Sequence, residues 1–229
     1  MNRSRDEILA RLAGIHARIA DACARVGRDA NDVTLVAVAK TVEPEALRWV
    51  VEAGVADLGE NYVQELRAKR DAVVGARWHF IGTLRSSGAH HVAALADVVE
   101  TAVPGRAFDR LARRADAAGR RLPVLIEVDV TGERTGVVPR QVPEAATQIA
   151  AVDGVSLAGL MTIAPPGHDA EAARPTFRRL RELRDALVGT HPEARQLSMG
   201  MSLDYEVALE EGATMVRLGT ALFGARPAR

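Results

Sequence analysis

A single cysteine, Cys23, serves a chain of 229 residues, so no intrachain disulfide can form and no thiolate cluster can hold zinc. Net charge is missing as well, because 30 basic residues balance 30 acidic ones. Without a basic field, neither a nucleic acid nor an acidic membrane surface is an expected partner. The arginine pairs Arg113-Arg114, Arg120-Arg121 and Arg178-Arg179 fall in mixed-charge helical contexts that read as solvated faces. No apolar run approaches the ~20 residues that cross a bilayer. The opening MNRSRDEILARLAGIHARIADACARVGRD also has no uninterrupted apolar core of the signal-peptide kind. A cytoplasmic protein is expected, with Cys23 a small buried residue on the first helix. Disordered and collagenous bias are absent too, since 48% hydrophobic and 26% charged residues is the balance of a globular chain.

The scarcest ionisable side chain is lysine. Of the 30 basic residues only Lys40 and Lys69 are lysines, which leaves 28 arginines. Arginine can replace lysine on a solvated face, but it stays protonated and cannot condense with an aldehyde. Lys69, between Ala68 and Arg70 in a helical stretch, reads as a surface residue. Lys40 ends the apolar run LVAVAK and asks for a chemical reason. Two readings stay open at this point. Lys40 is an imine-forming amine, or its stem covers apolar surface while its head reaches water or Glu60.

What the sequence does contain is an eightfold alternation. After an opening helix from Ser4 to Gly27, with Ser4 and Glu7 spaced as a capping box, β-rich runs occur at 34–39, 57–59, 78–81, 97–100, 124–130, 156–163, 195–198 and 215–218. Amphipathic helical stretches such as 44–53, 62–73, 107–118 and 170–188 separate them. Strand–helix alternation without a long linker predicts parallel strands with helical crossovers. A doubly wound sheet would announce a glycine-rich fingerprint after its first strand, but Lys-Thr-Val-Glu-Pro stands there. The expectation is an α/β protein, one (β/α)₈ TIM barrel spanning residues 1–229 as a single domain with an extra N-terminal helix. Its chemistry then sits at the C-terminal strand ends, with phosphate commonly held after strands seven and eight.

Several residues fall at those ends. In QLSMGMSLDYEVALEEG, Ser198, Gly200 and Ser202 precede a helix, which suits an anion cup or an ordinary turn with Ser202 as N-cap. MVRLGTALFG repeats the theme with Gly219 and Thr220. Alternation puts Arg217 on the face of Met215, toward the barrel interior, where it should meet an anion, a ring acceptor or an interior acid such as Glu127 or Asp129. Asn61 either packs on a ring or caps the next helix. His79 reads as a satisfied core histidine, and His90-His91 cannot share one helix face to bind a metal. No metal site is expected.

The blocks AVAKT, GENYVQE, WHFIG, GLMTI, LSMGMS and MVRLGTALFGAR, spread over the whole chain, resemble the pyridoxal phosphate homeostasis protein family. The resemblance implies a fold-type III barrel similar to the N-terminal domain of alanine racemase. It further implies pyridoxal 5′-phosphate (PLP) held as a Schiff base on Lys40. Ser198, Gly200, Gly219 and Thr220 would hold the phosphate, Arg217 would face the pyridine nitrogen and Asn61 would lie against the cofactor. A cation at that nitrogen weakens the electron sink that carbanion chemistry needs. The implied activity is therefore storage and delivery of PLP, in a monomer that hands it to PLP-dependent apoenzymes, with no catalytic residue. An amino-acid racemase is the alternative, although only Tyr62 and Tyr205 are available as a second base. A cofactor-free aldolase would carry its lysine near strand six, where GLMTIAPP has none. Three departures from the family pattern stand out: Thr83 to Gly88 after strand three, Asp129 in place of asparagine, and Arg134 in place of lysine.

Overall fold

The computed structural model describes residues 4–132, 134–165, 167 and 169–225; Arg226 of the last motif lies outside them. The chain opens with helix α1, Arg5–Arg25, whose N-cap Ser4 accepts the Glu7 N–H at 3.2 Å. Its stripe Ile8, Leu12, Ile15, Ile19, Ala22 and Cys23 is buried, as a 3.6-residue period requires. Eight strand–helix units follow in order: β1 Thr34–Val38 and α2 Pro44–Glu52, β2 Asp57–Glu60 and α3 Val63–Arg70, β3 Arg77–Phe80 and α4 Ala89–Leu95, β4 Val98–Ala102 and α5 Arg106–Ala117. The second half continues with β5 Leu122–Glu127 and α6 Val142–Ala150, β6 Val155–Met161 and α7 Arg174–Val188, β7 Gln196–Ser198 and α8 Tyr205–Glu210, β8 Met215–Leu218 and α9 Thr220–Phe223.

All eight strands pair in parallel and in sequence order, and β8 returns to β1 through Thr34 opposite Met215, which closes the barrel. The expected (β/α)₈ architecture with its extra helix is the one observed. Closure explains why alternation was readable: strands covered by helices outside and by one another inside are apolar on both faces. Outward residues such as Leu35, Ala37, Leu58, Trp78, Val216 and Leu218 join the shell between strands and helices. Val36, Val98, Leu125, Met161 and Met215 fill the interior. Strand ends differ from the expected ones by up to three residues, most at β5, which starts at Leu122 and stops at Glu127. There Gly136 returns beside Asp129, and Val137 forms an isolated parallel bridge with Val128.

The N-terminal helix is anchored to the last units by charge as well as packing. Arg25 Nε donates to Glu210 Oε1 at 2.7 Å, and Arg18 pairs with Glu206. Arg28 donates to the carbonyls of Leu209 (2.7 Å) and Ala213 (2.8 Å), which ties α1 to the α8–β8 turn. No helix among the described residues is long and apolar enough to cross a membrane.

Candidate functional site

One cavity of about 570 Å³ opens at the C-terminal end of the barrel. Its wall takes Lys40 from the end of β1, Asn61 from the end of β2, Ser202 from the loop after β7, and Arg217, Gly219 and Thr220 from β8 and its loop. Four sequence-distant segments are thus brought together at the strand ends by barrel closure.

Lys40 sits two residues past β1, with its Nζ 6.0 Å from the ring centroid of Tyr62. The next residue, Thr41, has φ 61°, the only non-glycine positive φ among the described residues. A β-branched side chain held there costs of order 1–3 kcal/mol, which the surrounding structure must offset. Its N–H is fixed by Glu65 Oε2 at 2.9 Å. The reading in which Glu60 receives the Lys40 ammonium does not hold, because Glu60 Oε1 is taken by Lys69 at 2.6 Å. Lys69 itself corrects the sequence reading: it is 7% exposed, not a surface residue.

Asn61 donates its N–H to Glu60 Oε2 at 2.8 Å and faces the cavity. It does not cap α3, whose N-cap is Tyr62. Its placement depends on Gly82, where a Cβ would come 2.0 Å from the Asn61 carbonyl oxygen. Gly82→Ala must push the Asn61 peptide out of the wall and is expected to lower the unfolding free energy by about 1–3 kcal/mol. Urea titration measures it, and an unchanged midpoint would mean that the two loops move apart freely.

After β7 the three expected residues divide. Ser202 is on the wall, and its Oγ accepts the Ala221 N–H at 3.1 Å, linking the last two loops instead of capping α8, whose N-cap is Asp204. Ser198 is not on the wall. Its hydroxyl donates to Glu100 Oε2 at 2.5 Å and accepts from Arg217 at 2.5 Å, so both roles are used inside the barrel. Gly200 also stands behind the wall. Its φ is 92°, and a Cβ there would lie 2.6 Å from Ala208 Cβ, so glycine is required where α8 seats. Gly219 and Thr220 do line the cavity.

Arg217 is 4% exposed and shares the interior with Met215, as alternation implied. The acid beside it is neither Glu127 nor Asp129 as the direct partner, but Glu100 from β4, 3.7 Å away. Arg217 also donates to the Thr162 carbonyl at 2.9 Å. Burial pulls the guanidinium below its ordinary pKa, while Glu100, Asp204 and Glu127 oppose the shift. Asp129 instead accepts the N–H groups of Thr131, Gly132 (2.8 Å) and Arg134 (2.9 Å), folding its own loop.

Beneath Arg217 runs a chain of ionised groups that sequence reading did not find. His79 is fully buried; Nδ1 meets Glu100 Oε1 at 2.7 Å and Nε2 meets Asp57 Oδ1 at 2.8 Å. Burial favours the neutral ring, but the two carboxylates outweigh it and push the imidazole up to about 9. His79 is thus the satisfied core histidine expected, and it is charged. Glu100 is held below the usual carboxylate range: burial raises it, and His79 and Arg217 more than compensate. The remaining tyrosine, Tyr205, is 1% exposed with Arg18 5.4 Å from its ring centroid, and it is not on the cavity wall.

The model of the alanine racemase N-terminal domain family matches residues 11–227. The pyridoxal phosphate homeostasis protein of Aquifex aeolicus is 41% identical over 221 residues, covering 94% of this chain and 97% of that one. The chain belongs to the pyridoxal phosphate homeostasis protein family. PipY of Synechococcus elongatus, solved with PLP bound, has a TM-score of 0.79 at 32% identity and covers 90% of this chain and 100% of its own. Alanine racemase of Clostridium difficile has a TM-score of 0.77 at 14% identity, covering 97% of this chain but 60% of its own, a likeness of fold alone. Against the family pattern, the departures at Thr83 to Gly88 leave the cavity wall untouched, since its strand-three residue is Ile81.

Proposed function

We propose that this protein binds PLP on Lys40, stores it in the cytoplasm and releases it to PLP-dependent apoenzymes, acting as a single-domain monomer without substantial amino-acid turnover. The observation that carries this reading is the sharing of one cavity by Lys40, Arg217 and the paired Ser202 and Gly219–Thr220 loops. Those residues fit the group: an amine for an aldehyde, a cation for a ring nitrogen, and hydroxyls with a close-approach glycine for a phosphate.

When bound, the cofactor supplies an aldehyde carbon with which an amine condenses, releasing one water. The chain's own residues then have separate tasks. Ser202, Gly219 and Thr220 hold the phosphate, Ser198 and Gly200 support that wall from behind, and Asn61 lies against the ring. Arg217 keeps a positive charge beside the pyridine nitrogen and so disfavours its protonation. Tyr205 stands off the cavity wall, so the second base that a racemase needs near Lys40 would have to be Tyr62, whose ring centroid is 6.0 Å from Lys40 Nζ.

The test is to saturate the protein with PLP, reduce with borohydride and map the labelled peptide. Label on Lys40 is expected; no label, or label elsewhere, would overturn the reading. Loaded protein should also restore activity to an apoenzyme, while chiral chromatography with alanine finds turnover far below about 1 s⁻¹.

A further inference from the structure

Both lysines of this arginine-rich chain lie at the same corner of the barrel mouth. Lys69, in the last turn of α3, has a side chain 8% exposed. Its Nζ is 2.8 Å from the Ala39 carbonyl oxygen, 2.6 Å from Glu60 Oε1 and 2.7 Å from Glu65 Oε2. An ammonium has three N–H donors, and each has an acceptor here. The acceptors bracket Lys40 in the chain. Ala39 precedes it, and Glu65 Oε2 also receives the N–H of Thr41, which follows it at φ 61°. Glu60 extends the same hub to Asn61, whose N–H meets Oε2 at 2.8 Å.

A guanidinium cannot take this place. Its donors spread over a planar fork, whereas the three acceptors converge on one atom. The chain uses arginine at 28 of its 30 basic positions, and the buried exception sits against the backbone of the other.

We infer that Lys69 is a positioning residue for Lys40: its ammonium, through Ala39 and Glu65, clamps the backbone on both sides of Lys40 and presents that amine to the cavity. The inference rests on the reading of Lys40 as the amine that captures an aldehyde.

Two ligands separate positioning from mere stability. PLP carries the aldehyde; pyridoxine 5′-phosphate carries an alcohol in its place and fills the same cup without engaging the amine. Three variants are compared: Lys69→Arg, the double variant Lys69→Met with Glu60→Gln, which leaves no unpaired charge at Glu60, and Glu65→Gln. The last side chain is 31% exposed, so this variant is the least able to unfold the barrel. The rate of borohydride-fixable capture of PLP is expected to fall by about tenfold or more in the Lys69 variants and by about threefold in Glu65→Gln. Affinity for pyridoxine 5′-phosphate should change by less than about twofold. Parallel weakening of both ligands would reduce Lys69 to a structural residue, and unchanged capture would remove the inference outright. Should the Lys69 variants fail to fold, Glu65→Gln alone decides by the same comparison. Wild-type protein that binds PLP without fixing it on Lys40 would instead overturn the reading beneath.

Discussion

Protein carrying Lys40→Ala is expected to fix no PLP under borohydride and to bind it about a hundredfold more weakly than wild type, a loss of about 2.7 kcal/mol. The covalent contact disappears while the rest of the cavity wall stays, because Lys40 makes no hydrogen bond to the scaffold on which Thr41, Asn61 or Arg217 depends. Residual affinity therefore remains through the hydroxyl loops and Arg217. Lys40→Arg should behave like the alanine variant, since a guanidinium keeps the charge but cannot condense with an aldehyde. Equilibrium dialysis gives the affinity and the visible spectrum gives the linkage. A Lys40→Ala protein that still turns yellow and is still reducible would require another amine, and the only other lysine is buried with all three donors engaged.

The second large effect is expected at Glu100→Gln. Glu100 is fully buried between two cations, His79 at 2.7 Å and Arg217 at 3.7 Å. Removing its charge leaves both cations inside the barrel with only Asp57 near His79. Breaking a buried pair in this way costs about 3–5 kcal/mol. The pH dependence changes with it. His79 in the folded protein is raised from 6.5 to about 9. Its contribution, on the order of 3 kcal/mol, is therefore fully present below the unfolded value and lost as pH rises through about 9. Glu100 is depressed, so its share is present above the unfolded carboxylate value and lost as pH falls through the folded one. Both describe one ion pair and count once. Wild-type stability should accordingly decline on the alkaline side, and Glu100→Gln should show a smaller decline that is complete nearer neutrality, because only the folded pKa of His79 falls. Urea unfolding from about pH 6 to 10 measures this. A variant within about 1 kcal/mol of wild type with the same pH profile would mean that the chain of charges is not coupled.

Why β8 was readable to the residue while Glu100 was not follows from the range of the forces involved. Alternation is local: Met215 and Arg217 face inward and Val216 and Leu218 outward because a strand has a period of two. The partner of Arg217 is set by closure of all eight strands. The strand pattern pointed to Glu127 and Asp129, and only the register of the barrel selects Glu100, 117 positions before Arg217 in the numbering. Ser198 and Ser202 divide for a similar reason. Both are hydroxyls near one strand end, but the interior partners that claim Ser198 come from β4 and β8. Lys69 did carry a local signal. Leu66, three residues before it on α3, is fully buried, and that spacing shares one helix face. The mixed charge of the QELRAKR stretch hides such a residue unless its apolar neighbours are counted first. The cavity, finally, was legible as strand ends but not as a wall, because Gly82 and Gly200 act through close backbone approach that composition does not express.

The saturation of Lys69 has a chemical consequence for a protein exposed to a reactive carbonyl compound. Aldehydes condense with any accessible uncharged amine and decorate ordinary lysine-studded surfaces indiscriminately. Here the solvent-facing cations are guanidinium groups, inert toward such condensation, and the second side-chain amine is shielded by three acceptors. Lys40 is then the one side-chain amine open to carbonyl chemistry. Carbonyl-directed labelling of side chains should accordingly be chemoselective and of unit stoichiometry, without any protecting strategy.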